Sequence, residues 1–370
     1  MRCYPSKWLM ILCLFAVIPS LSSAFDDEIT LLIPPFNGPK PLGIHVTTIL
    51  YLNVFKTLRR APTPNPENLS FGRGMIRWTT IKLSKQRHLE AEVMAEDWRF
   101  FAQLVLWGKA WEYGDGIVVQ SYLSLPKYDD GRDRNLEIWK TRISVGEETF
   151  FFEADIPRRR IDFRPISLTK AFVHEYSSPV AMKIYSTVDL RNPIGRTGLK
   201  LKAVEVRGNI VKVRSGEKVG WLQIPSISGK PSELTDFVGA MIRIYRGDWQ
   251  GAFELFDNVT KSSTASASLK LDAFLLKARA KEELGENGDA ELEAAFKIDP
   301  YSRMVIAYRT MKWISDLKEA IIQSQESLIR QDVLRIEGLL SKKKYLFHKG
   351  DPFLSKTYRF IETVRRYYLH

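Results

Sequence analysis

Residues 244–256, Ile-Tyr-Arg-Gly-Asp-Trp-Gln-Gly-Ala-Phe-Glu-Leu-Phe, hold a helix stop and a helix start back to back. Gly247 can take the left-handed conformation that ends one helix, and Asp248 can cap the next. After Trp249, residues Ala252, Phe253 and Phe256 make one apolar face at helical spacing. The small Ala252 lets a neighbouring helix approach closely. The same logic returns in Glu-Ala-Ala-Phe-Lys-Ile-Asp-Pro, where Ala295 lies 36 residues beyond Val259 and Pro300 closes the helix.

These tokens resemble a tetratricopeptide (TPR) array, with Gly247, Trp249, Ala252, Phe256, Ala295 and Pro300 in the structural positions. The resemblance implies stacked helix pairs over residues 229–340 and a groove for protein partners, without chemistry of its own. The expected helices are Leu234–Tyr245, Trp249–Val259, Leu269–Leu284, Ala290–Ile298, Tyr301–Trp313 and a long capping helix from Leu317 to Leu340. Two pairs are too few to stand alone, so a third helix or a neighbouring module must cover the open end.

Towards the N-terminus, residues 181–228 read as short strands. Val211-Lys-Val-Arg-Ser-Gly-Glu-Lys-Val-Gly-Trp-Leu222 resembles a bacterial SH3-like barrel, in which Gly220 permits close backbone approach and Trp221 fills the interior. Such modules bind cell-wall peptides or protein segments, or act as spacers.

Residues 25–180 alternate strand and helix signals. A β-rich run, Glu28 to Pro34, ends in Pro-Pro-Phe-Asn-Gly. Leu42, Val46, Ile49, Leu50, Val54 and Leu58 mark a helix over 42–60, and a second helix is expected over 90–101. Strands Gln103–Trp111 and Ile117–Leu125 flank the Tyr113-Gly-Asp-Gly116 turn. This order resembles the N-terminal domain of TolB and FlgO-like proteins, which implies an α/β sandwich used for assembly contacts. A further hairpin is expected from Thr149–Asp155 and Ile161–Leu168, with Arg158, Arg159 and Arg160 between its strands. Those arginines either grip an anion or form a solvated edge.

The first 24 residues read as a secretory signal: Arg2 and Lys7, an apolar segment from Trp8 to Pro19, then Ser22-Ser-Ala24. An uncleaved anchor is the alternative. Cys3 and Cys13 both lie inside it, so a cleaved chain has no cysteine and no disulfide; with the signal, this points to a bacterial periplasm or secretion. The formal charge of +12 would fall by two on cleavage. In an exported protein such a surface meets wall or anionic membrane before nucleic acid. Residues 341–370 are basic and aromatic, from Lys342-Lys-Lys-Tyr345 to Arg365-Arg-Tyr-Tyr368. They either dock on the last repeat or meet an anionic membrane.

No catalytic motif emerges. His45, His88, His174, His348 and His370 form no metal-binding spacing, and His45 is expected at the surface or at a cap. There is no Gly-x-Ser-x-Gly elbow. Phe71-Gly-Arg-Gly74 lacks the rest of a phosphate loop, and Asp129, Asp130 and Asp133 lack the ligand order of a calcium loop. The expectation is an α+β multidomain chain: an N-terminal α/β sandwich, a small SH3-like β-barrel and a C-terminal TPR-like helical array. The expected role is a non-enzymatic periplasmic scaffold or adaptor with protein partners and no cofactor or metal. The alternatives are a peptidoglycan-binding module and an accessory subunit of an envelope hydrolase or transporter.

Overall fold

The structure is a computed structural model, and it describes residues 30–39, 41–60, 76–79, 81–97, 99–128, 138–169, 182–197, 201–224 and 232–369. The signal segment, Phe71–Gly74, the Asp129–Asp133 loop, His174 and His370 lie outside the described residues.

The N-terminal part is a sandwich of helix, sheet and helix. Strands β1 (Leu31–Ile33), β2 (Ile76–Trp78), β3 (Leu104–Tyr113), β4 (Gly116–Ser124), β7 (Arg160–Asp162) and β8 (Ile166–Thr169) form one mixed sheet. β1 lies parallel to β2 and β3, and β3–β4 is an antiparallel hairpin through Gly114 at φ 55°. β7 and β8 share one edge of β4, at Tyr122–Ser124 and Gly116–Val119 respectively. Strand alternation assigns the two faces. Leu31, Ile33, Leu104 and Leu106 face helix α1 (Leu42–Arg60); Leu32, Val105 and Trp107 join Ala91 and Ala95 of helix α2 (His88–Glu96). α2 starts and ends earlier than its sequence pattern suggests, and Phe101 beyond it takes φ 43°.

α1 is buried nearly all round, because it is the hub between two layers. Its far side packs on a second sheet and on the helical array. The Tyr51 hydroxyl accepts the Ala203 N–H at 2.9 Å, and Lys56 donates to Asn209. Burial pushes the Tyr51 phenol up to about 12. The Pro-Phe-Asn-Gly run earns its place here: Asn37 N–H donates to Gly108 O at 2.8 Å, and Thr47 Oγ1 accepts the Phe36 N–H at 3.0 Å. A Cβ on Gly108 would strike the Phe36 ring.

The second sheet is antiparallel, in the order β10 (Pro193–Arg196), β9 (Lys183–Tyr185), β13 (Lys218–Gln223), β12 (Ile210–Ser215), β11 (Lys202–Arg207). Among the described residues this path is open from β10 to β11, and no closure into a barrel is present. β10 carries little apolar patterning, which is why its sequence does not announce it.

The C-terminal part is a run of antiparallel helices: α3 (Ser232–Ile244), α4 (Trp249–Lys261), α5 (Ala267–Glu283), α6 (Asp289–Ile298), α7 (Arg303–Ile322), α8 (Glu326–Lys343) and α9 (Pro352–Tyr368), each packed on the next up to α8, with α9 docked on α8. The expected capping helix is instead a third pair, α7–α8. The break falls at Ser324, φ 54°, where the Gln325 N–H returns to Ala320 O at 2.9 Å. No glycine marks that turn, so the pattern reads straight through it.

The expected hairpin of 149–155 with 161–168 does not form. β6 (Glu148–Ala154) pairs with β5 (Trp139–Val145) through a two-residue turn with Gly146 at φ 58°. This hairpin does not belong to the core of the N-terminal sheet. Its inner face, Trp139, Ile143, Phe150 and Phe152, is buried with residues of α5, α7 and α9. Thr141 and Ser315 hydroxyls meet at 3.3 Å, and Lys356 of α9 donates to Phe151 O at 2.7 Å. Among the described residues no helix is long and apolar enough to cross a membrane.

Candidate functional site

The three arginines stand where the chain leaves the hairpin for β7, not inside a hairpin turn. Each meets a carboxylate of the protein. Arg158 pairs with Asp272 of α5 at 2.5 Å, Arg159 with Asp155 at 2.6 Å, and Arg160 with Glu92 of α2 at 2.8 Å. Arg159 also donates to the Pro126 carbonyl at 3.2 Å. They line a cleft of about 570 Å³ together with Glu92, Glu96 and Lys127. The three arginines are thus each matched, while Lys127 in the same cleft has no carboxylate partner among the described residues.

Arg158 also borders a second cleft, of about 390 Å³, whose floor includes Asp272. Burial raises the Asp272 carboxyl to about 6, and the facing guanidinium only partly offsets this. Desolvation therefore outweighs the ion pair. Between about pH 4 and 6 the folded chain holds a proton here that the unfolded chain releases. This contribution to stability is present below the unfolded pKa and is lost as pH rises through the folded one. Asp272→Asn removes the titration. The stability of the variant relative to the parent is expected to rise by up to roughly 3 kcal/mol from pH 4 to 7. Urea unfolding of both chains across that range checks it; a pH-independent difference would contradict it.

A Ser–His–Asp row, absent from the sequence reading, crosses the α2 face of the sheet. His88 Nε2 lies 3.0 Å from Asp162 Oδ1, and Nδ1 lies 2.8 Å from Ser124 Oγ. With the imidazole neutral and its Nε2–H donating to the carboxylate, Nδ1 accepts from the Ser124 hydroxyl. Ser124 Oγ in turn accepts the Trp107 Nε1–H at 2.9 Å. The chemistry resembles a nucleophile relay, but the access is reversed: Ser124 is fully buried and Asp162 faces solvent. A substrate carbonyl cannot reach that hydroxyl. Trp107 and Tyr122 stack at 4.4 Å and present edges to the imidazole, so the row pins the first turn of α2 to the sheet. Its members are 36 and 74 residues apart from His88, and no local motif announces them.

The repeat residues fall as follows. Gly247 takes φ 69° in the α3–α4 turn. Asp248 caps α4 by accepting the Gly251 N–H at 3.0 Å. Ala252, Phe256 and Ala295 are fully buried, and Pro300 is half-buried. Trp249 and Trp139 each lie against the Arg279 guanidinium, at 5.5 and 5.4 Å. The array packs on the rest of the chain at two places: α3 on α1, and α7 on the β5–β6 hairpin.

At Gly220 a Cβ would collide with Ile184 and the Tyr185 carbonyl. Trp221 is buried, but it lies outside the apolar cluster that holds Leu222, Val211 and Val213. Arg207 and Lys212 cover its ring at 5.2 and 5.6 Å. It therefore packs under cation stems on the outer face of the sheet and does not fill an interior. His45, expected at the surface or a cap, is buried in α1. Among the described residues no group of three or more His, Cys, Asp or Glu side chains is placed to hold a metal ion.

No protein-family description, curated protein or solved structure matches this chain.

Proposed function

We propose that the chain is a non-enzymatic scaffold of an envelope-associated assembly, exported to the periplasm and working through protein contacts. The observation that carries this reading is the cross-bracing of its parts. Arg158–Asp272, Arg243 to the Leu58 carbonyl and Tyr51 to Ala203 each join segments more than 100 residues apart. Such bracing suits a part that holds others at fixed spacing. The TolB-like, SH3-like and TPR-like readings of the three parts belong to the same proposal. Partner contact is assigned to the outer side of the array, where Ile322, Leu328 and Leu334 stand exposed around the α7–α8 turn. Affinity capture from envelope extract, run beside sedimentation on purified peptidoglycan, tests it. A captured envelope protein that is lost on Leu328→Asp/Leu334→Asp, with no sedimentation, is expected. Sedimentation on peptidoglycan without a captured partner would favour the wall-binding alternative.

A further inference from the structure

We propose that the end of the helical array where the α6–α7 connection meets the end of α8 is a docking face for an anionic phospholipid surface. The inference is independent of the scaffold reading. Tyr301 and Tyr345 are 63% and 62% exposed there, and five lysines flank them in sequence: Lys297 before Tyr301, Lys342, Lys343 and Lys344 before Tyr345, and Lys349 after it. The two segments are in contact, since Lys343 Nζ lies 4.3 Å from the Tyr301 ring and 6.0 Å from that of Phe296.

Charge matching distinguishes this end from the middle of the array. Elsewhere in the array Lys277, Arg279, Lys281, Arg309 and Lys312 are each matched by a carboxylate. Among the described residues none of the five lysines takes part in an ion pair. Of the carboxylates nearby, Asp351 is buried against Arg303 at 2.8 Å, and Asp299, whose Oδ1 accepts the Tyr301 N–H at 3.0 Å, leaves one negative charge against five lysines. A local excess of positive charge therefore faces solvent.

The geometry selects the partner. Successive residues of a helix point about 100° apart, so Lys342 and Lys343 diverge and do not converge on one phosphate. A laterally continuous anionic surface needs no such convergence, since long lysine stems can reach it from diverging positions, with tyrosines at headgroup level. Base stacking on Tyr301 is disfavoured because the Lys343 ammonium lies over its ring.

The test is partition of the full chain onto phosphatidylglycerol–phosphatidylcholine vesicles and onto phosphatidylcholine alone. The anionic-to-neutral ratio cancels any apolar contribution common to both. Each lysine near such a surface is worth about fivefold, so K342Q/K343Q/K344Q is expected to lower the ratio by on the order of a hundredfold. K297Q/K349Q, which alters neither helix interior, should lower it about twentyfold. K82Q/K85Q/K218Q makes the same net change at exposed sites elsewhere and should leave the ratio within about fivefold of the parent. The inference is overturned by a parent ratio near unity, by equal loss in the control triple, or by binding to nucleic acid or peptidoglycan with none to anionic vesicles.

Discussion

Arg243→Met is expected to destabilise the chain by roughly 3–5 kcal/mol, the cost of leaving a buried charged partner uncompensated. Arg243 is fully buried on α3. One guanidinium nitrogen donates to the Leu58 carbonyl at 2.5 Å, and another pairs with the Asp248 carboxylate. The substitution strands a carbonyl at the end of α1 and a carboxylate that also caps α4. It thus loosens the α1–α3 contact and the turn carrying Gly247 together. Gly251 shows how closely the site is fitted, because a Cβ there would strike the guanidinium. The double variant Arg243→Met/Asp248→Asn should cost less than the sum of its singles, since the uncompensated charge goes with its partner. A single variant within about 1 kcal/mol of the parent in urea unfolding would mean that this contact contributes little.

Trp139→Ala is expected to cost a similar roughly 3–5 kcal/mol, the usual loss for a buried aromatic. Its ring is 2% exposed, meets Tyr308 edge-on at 5.6 Å and lies against Arg279. Truncation opens the seam between hairpin and array and removes one wall from that guanidinium. Amide exchange over residues 139–154 should quicken. Phe151→Ala gives the contrast: it sits on the same hairpin with its ring 57% exposed and an arginine over it, so a loss under about 1 kcal/mol is expected. Equal losses at the two sites would contradict the assignment of faces.

Local signals were readable where they decided local structure. The spacing from Leu42 to Leu58 and the Pro-rich stop after it mark α1 at both ends, and Gly114 and Gly247 mark turns that do take positive φ. Pairing was not readable. Thr149–Asp155 alternates correctly for a strand, but alternation does not say which strand it joins. The tight turn at Gly146 closes the nearer pairing before the farther one can compete. Nor does an apolar face name the surface that covers it: Phe150 and Phe152 are buried against helices about 150 or more residues later, beyond any local window. The arginine run shows the same limit. Its charge is plain in the sequence, while the Asp272 partner of Arg158 lies 114 residues away. Trp221 announces burial by its type, but the side of the sheet it occupies depends on a register set by its neighbours.

The β5–β6 hairpin sits on α7 and covers that side of the helical array. Thr141→Cys/Ser315→Cys tests it most directly, in a chain whose own Cys3 and Cys13 are replaced by serine. The parent hydroxyls are 3.3 Å apart across 174 residues. That separation is close to what a disulfide needs after small side-chain adjustment. Near-complete bond formation under mild oxidation is expected, with a gain in stability of up to about 5 kcal/mol from closing so long a loop. Two thiols that stay reduced and react freely with alkylating reagent in the folded chain would contradict it.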